Sequence, residues 1–197
     1  MNDDTAKKSL APEYFETVYN AKDDPWNFTT SEYEARKYGA TINALPRENY
    51  GSAFEIGCSI GVLTARLAEK CQSLLSVDVN EKALRQARKK CENLPNVRLE
   101  KMRIPDEFPD EDFDLVVVSE VGYYLNVEDW AQTQEKIIKR LKRGGNVILV
   151  HWTHFVPDYP QTGDAVHDSF AKFAEGKARH LKTERTEDYR LDAWAKL

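Results

Sequence analysis

The feature that most constrains the fold is a glycine-containing loop between a short apolar run and a helix-like segment. The loop Glu55–Gly61 reads E-I-G-C-S-I-G and overlaps the end of the apolar run Ala53–Ile56. Glycines there let the backbone pass close to a ligand and let the next helix pack near the strand. Asp78 ends the following apolar run, where a carboxylate can accept both ribose hydroxyl hydrogens of a nucleoside. This order predicts a nucleoside site on a strand–loop–helix unit.

The middle of the chain alternates strand-like and helix-like segments. The predicted strands are Ala53–Ile56, Ser73–Val79, Asn96–Met102, Phe113–Ser119 and Asn146–Val150. The predicted helices between them include Val62–Lys70, a helix capped by Asn80 that ends at Cys91, and Val127–Leu141, which Gly144-Gly145 would close. Leu115–Val118 does not alternate, which is typical of a central strand buried on both faces. Strands separated by helix-sized segments predict right-handed βαβ units and a parallel sheet.

The two ends of the chain have a different pattern. Before the sheet, we predict a helix over Pro12–Asn20 and another from the capping box Ser31-x-x-Glu34 to about Leu45. After it, we predict a loop, a helix and two strands: His151–Gly163, Asp164–Gly176, Ala178–Thr186 and Tyr189–Ala195. We therefore expect one domain, residues 1–197, made of an N-terminal helical lid (1–50), a cofactor-binding core (51–150) and an acceptor-side C-terminal part (151–197).

Composition narrows the possible partners. A chain of 197 residues with a formal net charge of −5 suits one domain and has no basic run for a nucleic acid. No apolar run is long enough to span a membrane, and the polar Met1–Ser9 lacks a signal core, so we expect a cytoplasmic protein. Three cysteines, an odd number, suggest reduced thiols, and no C-x-x-C or H-E-x-x-H pattern offers a metal site.

Three ligand classes compete for the glycine loop. A dinucleotide site normally places a second glycine where this chain has Ser59, whose side chain would crowd a pyrophosphate. S-adenosylmethionine has no phosphate, so it suits the loop better. Residues 57–61 also read G-x-S-x-G, the nucleophile elbow of α/β hydrolases, but Asp78 would then have no role. A hydrolase and a nicotinamide enzyme remain alternatives, as does a purely structural use of the loop, with Asp78 only capping a helix.

Several motifs together resemble the class I S-adenosylmethionine-dependent methyltransferases. They are Glu55-x-Gly57-x-x-x-Gly61, Asp78, Phe113-Asp114-Leu115-Val116 and Leu141-x-x-Gly144-Gly145. The match covers roughly residues 50–150. The resemblance implies an α/β fold, a three-layer Rossmann-like sandwich whose seven-stranded, mostly parallel sheet has an antiparallel last strand.

A narrower resemblance, to the NodS-like (nodulation protein S type) branch, covers most of the chain. It rests on Asp24-Pro25-Trp26-x-Phe28, Tyr33-Glu34-x-Arg36-Lys37-Tyr38, the glycine loop, Ser119–Leu125 (S-E-V-G-Y-Y-L) and Asp158–His167 (D-Y-P-Q-T-G-D-A-V-H). The namesake of the branch N-methylates the free amine of a deacetylated chitooligosaccharide. The resemblance implies S-adenosyl-L-methionine as cofactor and methyl transfer to a small polar acceptor, such as an amine of a sugar or related metabolite. A non-catalytic S-adenosylmethionine-binding protein is the alternative from another functional class.

The resemblance also implies a set of cofactor-binding residues. Glu55 would lie near the methionine end, Gly57 and Gly61 would line the cofactor, and Asp78 would hold the ribose. The full expected set is Glu55, Gly57, Cys58, Ser59, Gly61, Asp78, Val79, Met102, Arg103 and Ser119. Arg103 departs from the family pattern, which usually has an acidic residue there near the adenine amine.

The acceptor site is predicted from topology. Glu120, Tyr123 and Tyr124 follow strand four, and His151, Trp152 and His154 follow strand five. Since the carboxyl ends of neighbouring parallel strands converge, we predict that the candidate catalytic residues Glu120, Tyr124, His151 and His154 face one cleft. A carboxylate beside imidazoles could bind an ammonium group and later take its proton.

Each acceptor-side residue also has an ordinary structural interpretation. Tyr123 and Tyr124 could be half-buried aromatics, and Asp164 could cap a helix. His151, His154 and His167 could be structural residues held by hydrogen bonds. Arg36 and Lys37 are either surface charges or partners of the cofactor carboxylate. The N-terminal aromatic residues form a lid over the cleft or cover a sheet edge; they are Tyr14, Phe15, Trp26, Phe28, Tyr33 and Tyr38.

Overall fold

The computed structural model describes residues 7–197, so the first six residues of the predicted lid lie outside the described part. The strands are β1 (Tyr50–Ile56), β2 (Cys71–Asp78), β3 (Val97–Lys101), β4 (Phe113–Ser119), β5 (Leu141–Trp152), β6 (Ala178–Arg185) and β7 (Tyr189–Lys196). The helices are α1 (Pro12–Ala21), α2 (Glu32–Asn43), α3 (Val62–Ala68), α4 (Glu81–Lys90), α5 (Val127–Arg140) and α6 (Gly163–Ala174). A 3-10 turn, Gly122–Tyr124, follows β4.

The seven strands form one sheet in the order β3-β2-β1-β4-β5-β7-β6. Strands β1 to β5 pair in parallel, whereas β7 runs antiparallel to both of its neighbours. The strand order reverses between β1 and β4, and a crevice at the carboxyl ends of the strands is expected at such a switch point. The predicted fold class is confirmed.

The apolar core lies on both faces of the central strands. Val116 and Val118 of β4 pack in the layer that contains Trp130 of α5, and Leu115 and Val117 pack in the opposite layer. This arrangement explains why β4 reads as a continuous apolar run. Among residues 7–197, none of the helices combines the length and the apolar character that crossing a membrane requires. The three cysteines are buried and unbridged.

Two connections differ from the prediction. No helix joins β3 to β4; the link contains Pro105 and Pro109, which fix φ and lack the amide hydrogen that a helix interior needs. Gly144 and Gly145 do not close α5, because β5 begins directly at Leu141. Gly144, with φ +72°, lies instead where the β4–β5 register shifts. Such an irregularity commonly places a glycine in the left-handed region.

Candidate active site

A cavity of about 460 Å³ opens at the carboxyl ends of β1, β2 and β4. Helices α1 and α2 contribute aromatic side chains to its wall, among them Phe15, Tyr19 and Tyr38. Nine of the expected cofactor residues line it: Glu55, Gly57, Cys58, Ser59, Asp78, Val79, Met102, Arg103 and Ser119. Gly61 does not. The residues that the sequence linked to one cofactor are therefore gathered around one cavity.

The glycine loop is built by left-handed backbone conformations. Gly57 has φ +84°, and a Cβ atom there would lie 2.1 Å from Cγ2 of Val121. Gly61 has φ +80°, and its added Cβ atom would lie 3.0 Å from Cα of Ala87 in α4. Gly57 is thus required at the cavity wall. Gly61 allows the close approach to α4 and serves helix packing rather than direct lining.

Asp78 holds the glycine loop from the end of β2. Its Oδ2 accepts a hydrogen bond from the Ser59 amide at 2.9 Å, and its Oδ1 accepts one from the Asn80 amide at 2.8 Å. Burial raises the pKa of Asp78 to about 6, although the backbone amides oppose this shift. Each carboxylate oxygen has more than one acceptor site, so Asp78 can bind the loop and still accept ligand hydroxyls.

Glu55 lies at the base of the cavity and is 1% exposed. Its Oε2 accepts hydrogen bonds from the hydroxyls of Thr64 and Ser76, each at 2.7 Å. Burial raises the pKa of Glu55 to about 7, and these two hydroxyls only partly offset it. In the ligand-free protein this carboxyl group therefore keeps its proton to a higher pH than an exposed glutamate does.

We expect Glu55→Gln to remove a pH-dependent cost of folding. Unfolded Glu55 ionises near its ordinary pKa of about 4.3. Between that pH and about 7, the folded protein binds more protons at this site than the unfolded chain, so stability falls as pH rises. The unfolding free energy of the wild type relative to the variant should fall by on the order of 3 kcal/mol between about pH 4 and 8. Denaturant titrations of both proteins measure this, and a constant difference would contradict it.

The adenine end of the predicted site has an unexpected acidic residue. Arg103 directs its guanidinium to Asp106 at 3.5 Å, and its side chain is half exposed. Asp106 also lines the cavity, together with Met102 and Ile104. Asp106 was not singled out from the sequence; it lies in the loop after β3, three residues after Arg103, the position aligned with the family's acidic residue. An acidic residue anywhere in that short loop was the available signal.

Glu120 occupies the turn after β4 and faces the cavity. Its φ of +59° is unusual for a residue with a side chain. Oε1 accepts a hydrogen bond from Nζ of Lys37 at 2.5 Å. Oε2 accepts hydrogen bonds from the Tyr123 hydroxyl and from the Trp152 amide, the latter at 3.0 Å. Groups from α2, β5 and the 3-10 turn therefore converge on this carboxylate.

Lys37 connects α2 to the site and is 2% exposed. Its ammonium group also binds Oε1 of Glu34 at 3.0 Å and lies 4.9 Å from the ring centre of Tyr33. Burial would lower the pKa of Lys37, but the Glu120 and Glu34 carboxylates outweigh it and raise that pKa. Lys37 is thus a buried cation of the cavity wall. Arg36 is largely exposed and pairs with Glu32 at 3.8 Å.

Two polar atoms beside Lys37 have no hydrogen-bond partner within residues 7–197. They are Oε2 of Glu34 and the hydroxyl of Tyr33, and both residues line the cavity. Burial raises the pKa of Glu34, against the opposing charge of Lys37. The sequence assigned Glu34 to a capping box. Ser31 does accept the Glu34 amide at 3.3 Å, but its own amide donates to Asn27, which leaves the Glu34 carboxylate to turn inward.

Helix α1 contacts both sides of the cavity. The Tyr19 hydroxyl lies 2.5 Å from Oγ of Ser59 on the glycine loop. The Phe15 ring packs edge-on against Tyr124, with ring centres 5.0 Å apart. Tyr124 lines the cavity, as predicted, and its hydroxyl lies 3.4 Å from that of Tyr159. This position suits a lid over the cavity, and that role stays a prediction.

The two predicted catalytic histidines do not line the cavity. His151 is fully buried, and its Nε2 accepts a hydrogen bond from the Gly122 amide at 3.0 Å. His154 is partly exposed and lies 2.9 Å from Oδ1 of Asp188. The prediction that both face the cleft with Glu120 is therefore wrong for His151, whereas His154 lies at the edge of the cavity beside Asp188 and its catalytic role stays a prediction. The cause for His151 is that β5 extends to Trp152, so this side chain packs within the sheet rather than in the loop.

The start of α6 also differs from the prediction. Thr162 caps the helix by accepting the Ala165 amide at 3.1 Å, whereas Asp164 pairs with Arg185. Gly163 is required for another reason: a Cβ atom there would lie 2.1 Å from the backbone oxygen of Trp152. The helix is thereby held directly against β5.

The hydrolase interpretation has no base for its nucleophile. Oγ of Ser59 contacts the Tyr19 hydroxyl, and none of the histidines in residues 7–197 lines the cavity. A serine nucleophile normally needs an adjacent general base. The site therefore does not favour the hydrolase.

Comparisons with known proteins identify the family. The family model "Nodulation protein S (NodS)" matches residues 15–153. Nodulation protein S of Bradyrhizobium diazoefficiens is 36% identical over 106 residues, which are 53% of this chain and 51% of that protein. The Rhizobium tropici protein of the same name is 28% identical over 131 residues, 66% of this chain and 55% of that protein. The chain thus spans about half the length of these curated relatives.

Solved structures agree with the fold. A putative methyltransferase from Pseudomonas syringae has 33% identity and a TM-score of 0.75, over 84% of this chain and 100% of that one. N-methyltransferase NodS from Bradyrhizobium japonicum, in complex with S-adenosyl-L-homocysteine, has 22% identity and a TM-score of 0.79, over 93% of this chain and 97% of that one. The resemblance inferred from the sequence motifs is confirmed: the chain belongs to the nodulation protein S (NodS) family.

Proposed function

We propose that this chain transfers a methyl group from S-adenosyl-L-methionine to a small polar acceptor, and that the acceptor group is an amine of a sugar or related metabolite. The observation that carries the proposal is one cavity whose wall includes both Asp78, a carboxylate placed where ribose hydroxyls can bind, and the partly buried carboxylate of Glu120. One end suits the ribose of a nucleoside, and the other suits a polar acceptor. Family membership and the N-methyltransferase named among the structural neighbours support the same activity.

The residues of the cofactor side fit S-adenosyl-L-methionine. Asp78 would accept the ribose hydroxyls, and Gly57 would let the methionine half pass close to the backbone. Met102 and Ile104 would pack against the adenine, with Asp106 available to its amino group. Ser59 stands where a dinucleotide site needs a glycine. When bound, the cofactor supplies a methyl group on a positively charged sulfur, which needs no metal or redox partner.

The charge balance of the acceptor side favours a cationic or amine acceptor. Glu34 and Glu120 share one ammonium group, that of Lys37, so two carboxylates face one positive charge when both are ionised. Oε2 of Glu34 and the Tyr33 hydroxyl are still without a partner. An incoming ammonium group could complete these contacts and then lose its proton to a carboxylate before attack. Glu120 and Tyr124 would orient the acceptor for in-line displacement, where positioning supplies most of the rate gain.

The rim of the cavity suits a flat, partly apolar molecule such as a sugar ring. Trp152 lines the cavity and is 37% exposed, and His154 packs over it with ring centres 5.0 Å apart. Phe155, close by in sequence, is 73% exposed. Exposed aromatic residues grouped at a cavity mouth often mark a binding surface. The carbon-bound hydrogens of a sugar could pack against the Trp152 ring while its amine enters the cavity.

The cofactor assignment is tested by Asp78→Ala. We expect affinity for S-adenosyl-L-homocysteine to fall at least about tenfold, because hydrogen bonds to a charged group contribute roughly 1.5–3 kcal/mol. Calorimetric titration of wild type and variant measures the affinity, with NAD as the control ligand that neither should bind. Thermal unfolding checks that the glycine loop survives the loss of its Asp78 contacts. An unchanged dissociation constant would reduce Asp78 to a loop-holding residue.

Activity is tested by product formation. The wild type should convert S-adenosyl-L-methionine to S-adenosyl-L-homocysteine in the presence of a panel that includes glucosamine and a deacetylated chitooligosaccharide. Tight cofactor binding with no product from any amine, alcohol or thiol of the panel would favour a non-catalytic binding protein.

A further inference from the structure

A buried chain of hydrogen bonds lies behind the acceptor side of the cavity and is not part of its wall. We call it the histidine chain: Asp192 of β7, His167 of α6 and His151 of β5. The three residues are 1%, 0% and 0% exposed. Oδ2 of Asp192 lies 2.6 Å from Nδ1 of His167, and Nε2 of His167 lies 3.0 Å from Nδ1 of His151. The histidine chain ends at Nε2 of His151, which accepts a hydrogen bond from the Gly122 amide at 3.0 Å.

The direction of every bond in the histidine chain is fixed by its last member. A backbone amide can only donate, so Nε2 of His151 carries no hydrogen and its Nδ1 carries one. That Nδ1 hydrogen must be donated to Nε2 of His167, which places the hydrogen of His167 on Nδ1, pointing to Asp192. Both rings are therefore neutral Nδ1–H tautomers. Because the histidine chain ends at the backbone amide of Gly122, it is not a route for a proton from the acceptor.

The histidine chain instead fixes the turn that carries the acceptor-side residues. Gly122 lies between Glu120, with its left-handed φ of +59°, and Tyr123, whose hydroxyl donates to Glu120. A Cβ atom on Gly122 would lie 2.5 Å from Cγ1 of Val166 and 3.0 Å from Nε2 of His151, so the turn sits directly on α6 and β5. An unfavourable backbone conformation persists only when its surroundings over-determine it. The bond from His151 is one of those constraints.

We infer that Asp192, His167 and His151 are positioning residues for methyl transfer, which hold the Gly122 amide so that Glu120 and Tyr123 keep the geometry the acceptor requires. This inference rests on the proposed function. None of the three residues touches the cavity, so their effect on catalysis acts through the turn.

Burial keeps the two imidazole rings of the histidine chain neutral, against the opposing charge of Asp192. Burial lowers the pKa of His151 well below its ordinary value, and His167 and Lys37 lower it further against the opposing charge of Asp192. Burial also lowers the pKa of His167, with Arg190 acting in the same direction and Asp192 and Asp164 opposing it. Burial alone would raise the pKa of Asp192, but its bonds from His167 and Thr183 and the charge of Arg190 hold it well below the usual range. The bond directions should therefore persist at neutral pH.

Two substitutions of His151 separate the bond to Gly122 from the bond to His167. In His151→Gln, the amide oxygen reaches the position of the ring Nε2 and can still accept the Gly122 amide. In His151→Asn, the shorter side chain reaches only the Nδ1 position, so the bond to His167 is kept and that to Gly122 is lost. His180→Gln is the control. Nε2 of His180 lies 3.1 Å from Oδ1 of Asp192, but His180 is not a member of the histidine chain.

The full-length variants are compared by kcat and KM for methyl transfer to a deacetylated chitooligosaccharide, by calorimetry with S-adenosyl-L-homocysteine, and by NMR. We expect His151→Asn to lower kcat about tenfold or more with unchanged affinity for S-adenosyl-L-homocysteine, since a small misplacement of catalytic groups is costly. His151→Gln should recover most of kcat, and His180→Gln should match the wild type. The Gly122 amide should exchange its hydrogen faster in His151→Asn only. Nitrogen-15 shifts of the wild type should report His151 and His167 as Nδ1–H tautomers.

Three results would overturn the inference. Equal kcat values in the Gln and Asn variants would show that the Gly122 bond does not matter for transfer. Nε2–H tautomers of His151 and His167 in the wild type would contradict the hydrogen-bond directions assigned to the histidine chain. A normal kcat in His151→Asn, together with fast exchange of the Gly122 amide hydrogen, would show that the histidine chain has only a structural role. If the wild type methylates nothing in the panel, the proposed function fails and positioning for methyl transfer fails with it, whereas normal wild-type activity with equal variants rejects only the positioning role.

Discussion

Replacing Lys37 with methionine should lower the free energy of unfolding by roughly 3–5 kcal/mol, the usual cost of removing one partner from a buried ion pair. Lys37 is the cation that Glu34 and Glu120 share, at 3.0 and 2.5 Å. Methionine fills similar space but leaves two carboxylates without their cation in a largely buried place. Urea titrations of the variant and the wild type at neutral pH measure the loss.

The neighbouring Arg36→Met is the matched control. It removes a cation from the same helix, but Arg36 is exposed and its pair with Glu32 spans 3.8 Å. Exposed pairs contribute about 0–1 kcal/mol. Adding Glu34→Gln to Lys37→Met should recover part of the stability, since it removes one uncompensated charge. In Lys37→Met the deficit should shrink as pH falls, because protonation neutralises the orphaned carboxylates. Equal stabilities of the Lys37 and Arg36 variants would contradict the burial argument.

Most of the sheet could be predicted from the sequence, because its strands obey simple physical rules. Phe113–Ser119 was predicted with the bounds that the structure has, since a strand buried on both faces must be continuously apolar. Asn80 was correctly predicted to cap α4, where its side chain accepts the Ala83 amide. Local patterns of this kind need no knowledge of distant parts of the chain. The predicted antiparallel strand came from the family resemblance instead.

The site was harder to predict, because its polar residues are explained by distant partners. His151 reads as the first residue after an apolar strand, and only the positions of His167 and Asp192 reveal that it is buried within one. Lys37 and Glu34 read as an ordinary helical pair three residues apart. The buried Lys37 also pairs with Glu120, which lies 83 positions further along the chain from it. The signal that the sequence did offer for such residues was a polar residue inside a family motif whose role no neighbouring residue explains.

Glu120→Gln should lower methyl transfer by about 10²-fold or more, the scale expected for loss of a positioned acid or base. The amide has one acceptor atom instead of two, so it cannot satisfy both Lys37 on one side and Tyr123 with the Trp152 amide on the other. The carboxylate charge that would attract an acceptor ammonium is lost as well. Affinity for S-adenosyl-L-homocysteine should stay within about threefold, since the cofactor is assigned mainly to Asp78 and the glycine loop.

The matched control for Glu120→Gln is Asp188→Asn. Asp188 also lines the cavity, but its carboxylate lies beside His154 at the rim and not beside Lys37. If negative charge anywhere at the mouth attracted the acceptor, both variants would mainly raise KM. If Glu120 acts on the bound acceptor, only its variant lowers kcat, and the wild-type rate rises with pH until the acceptor amine has lost its proton. Wild-type kcat in Glu120→Gln with the same acceptor would move the acceptor group away from Glu120. Glu34 would then be the next candidate, because its Oε2 lines the same cavity wall without a partner.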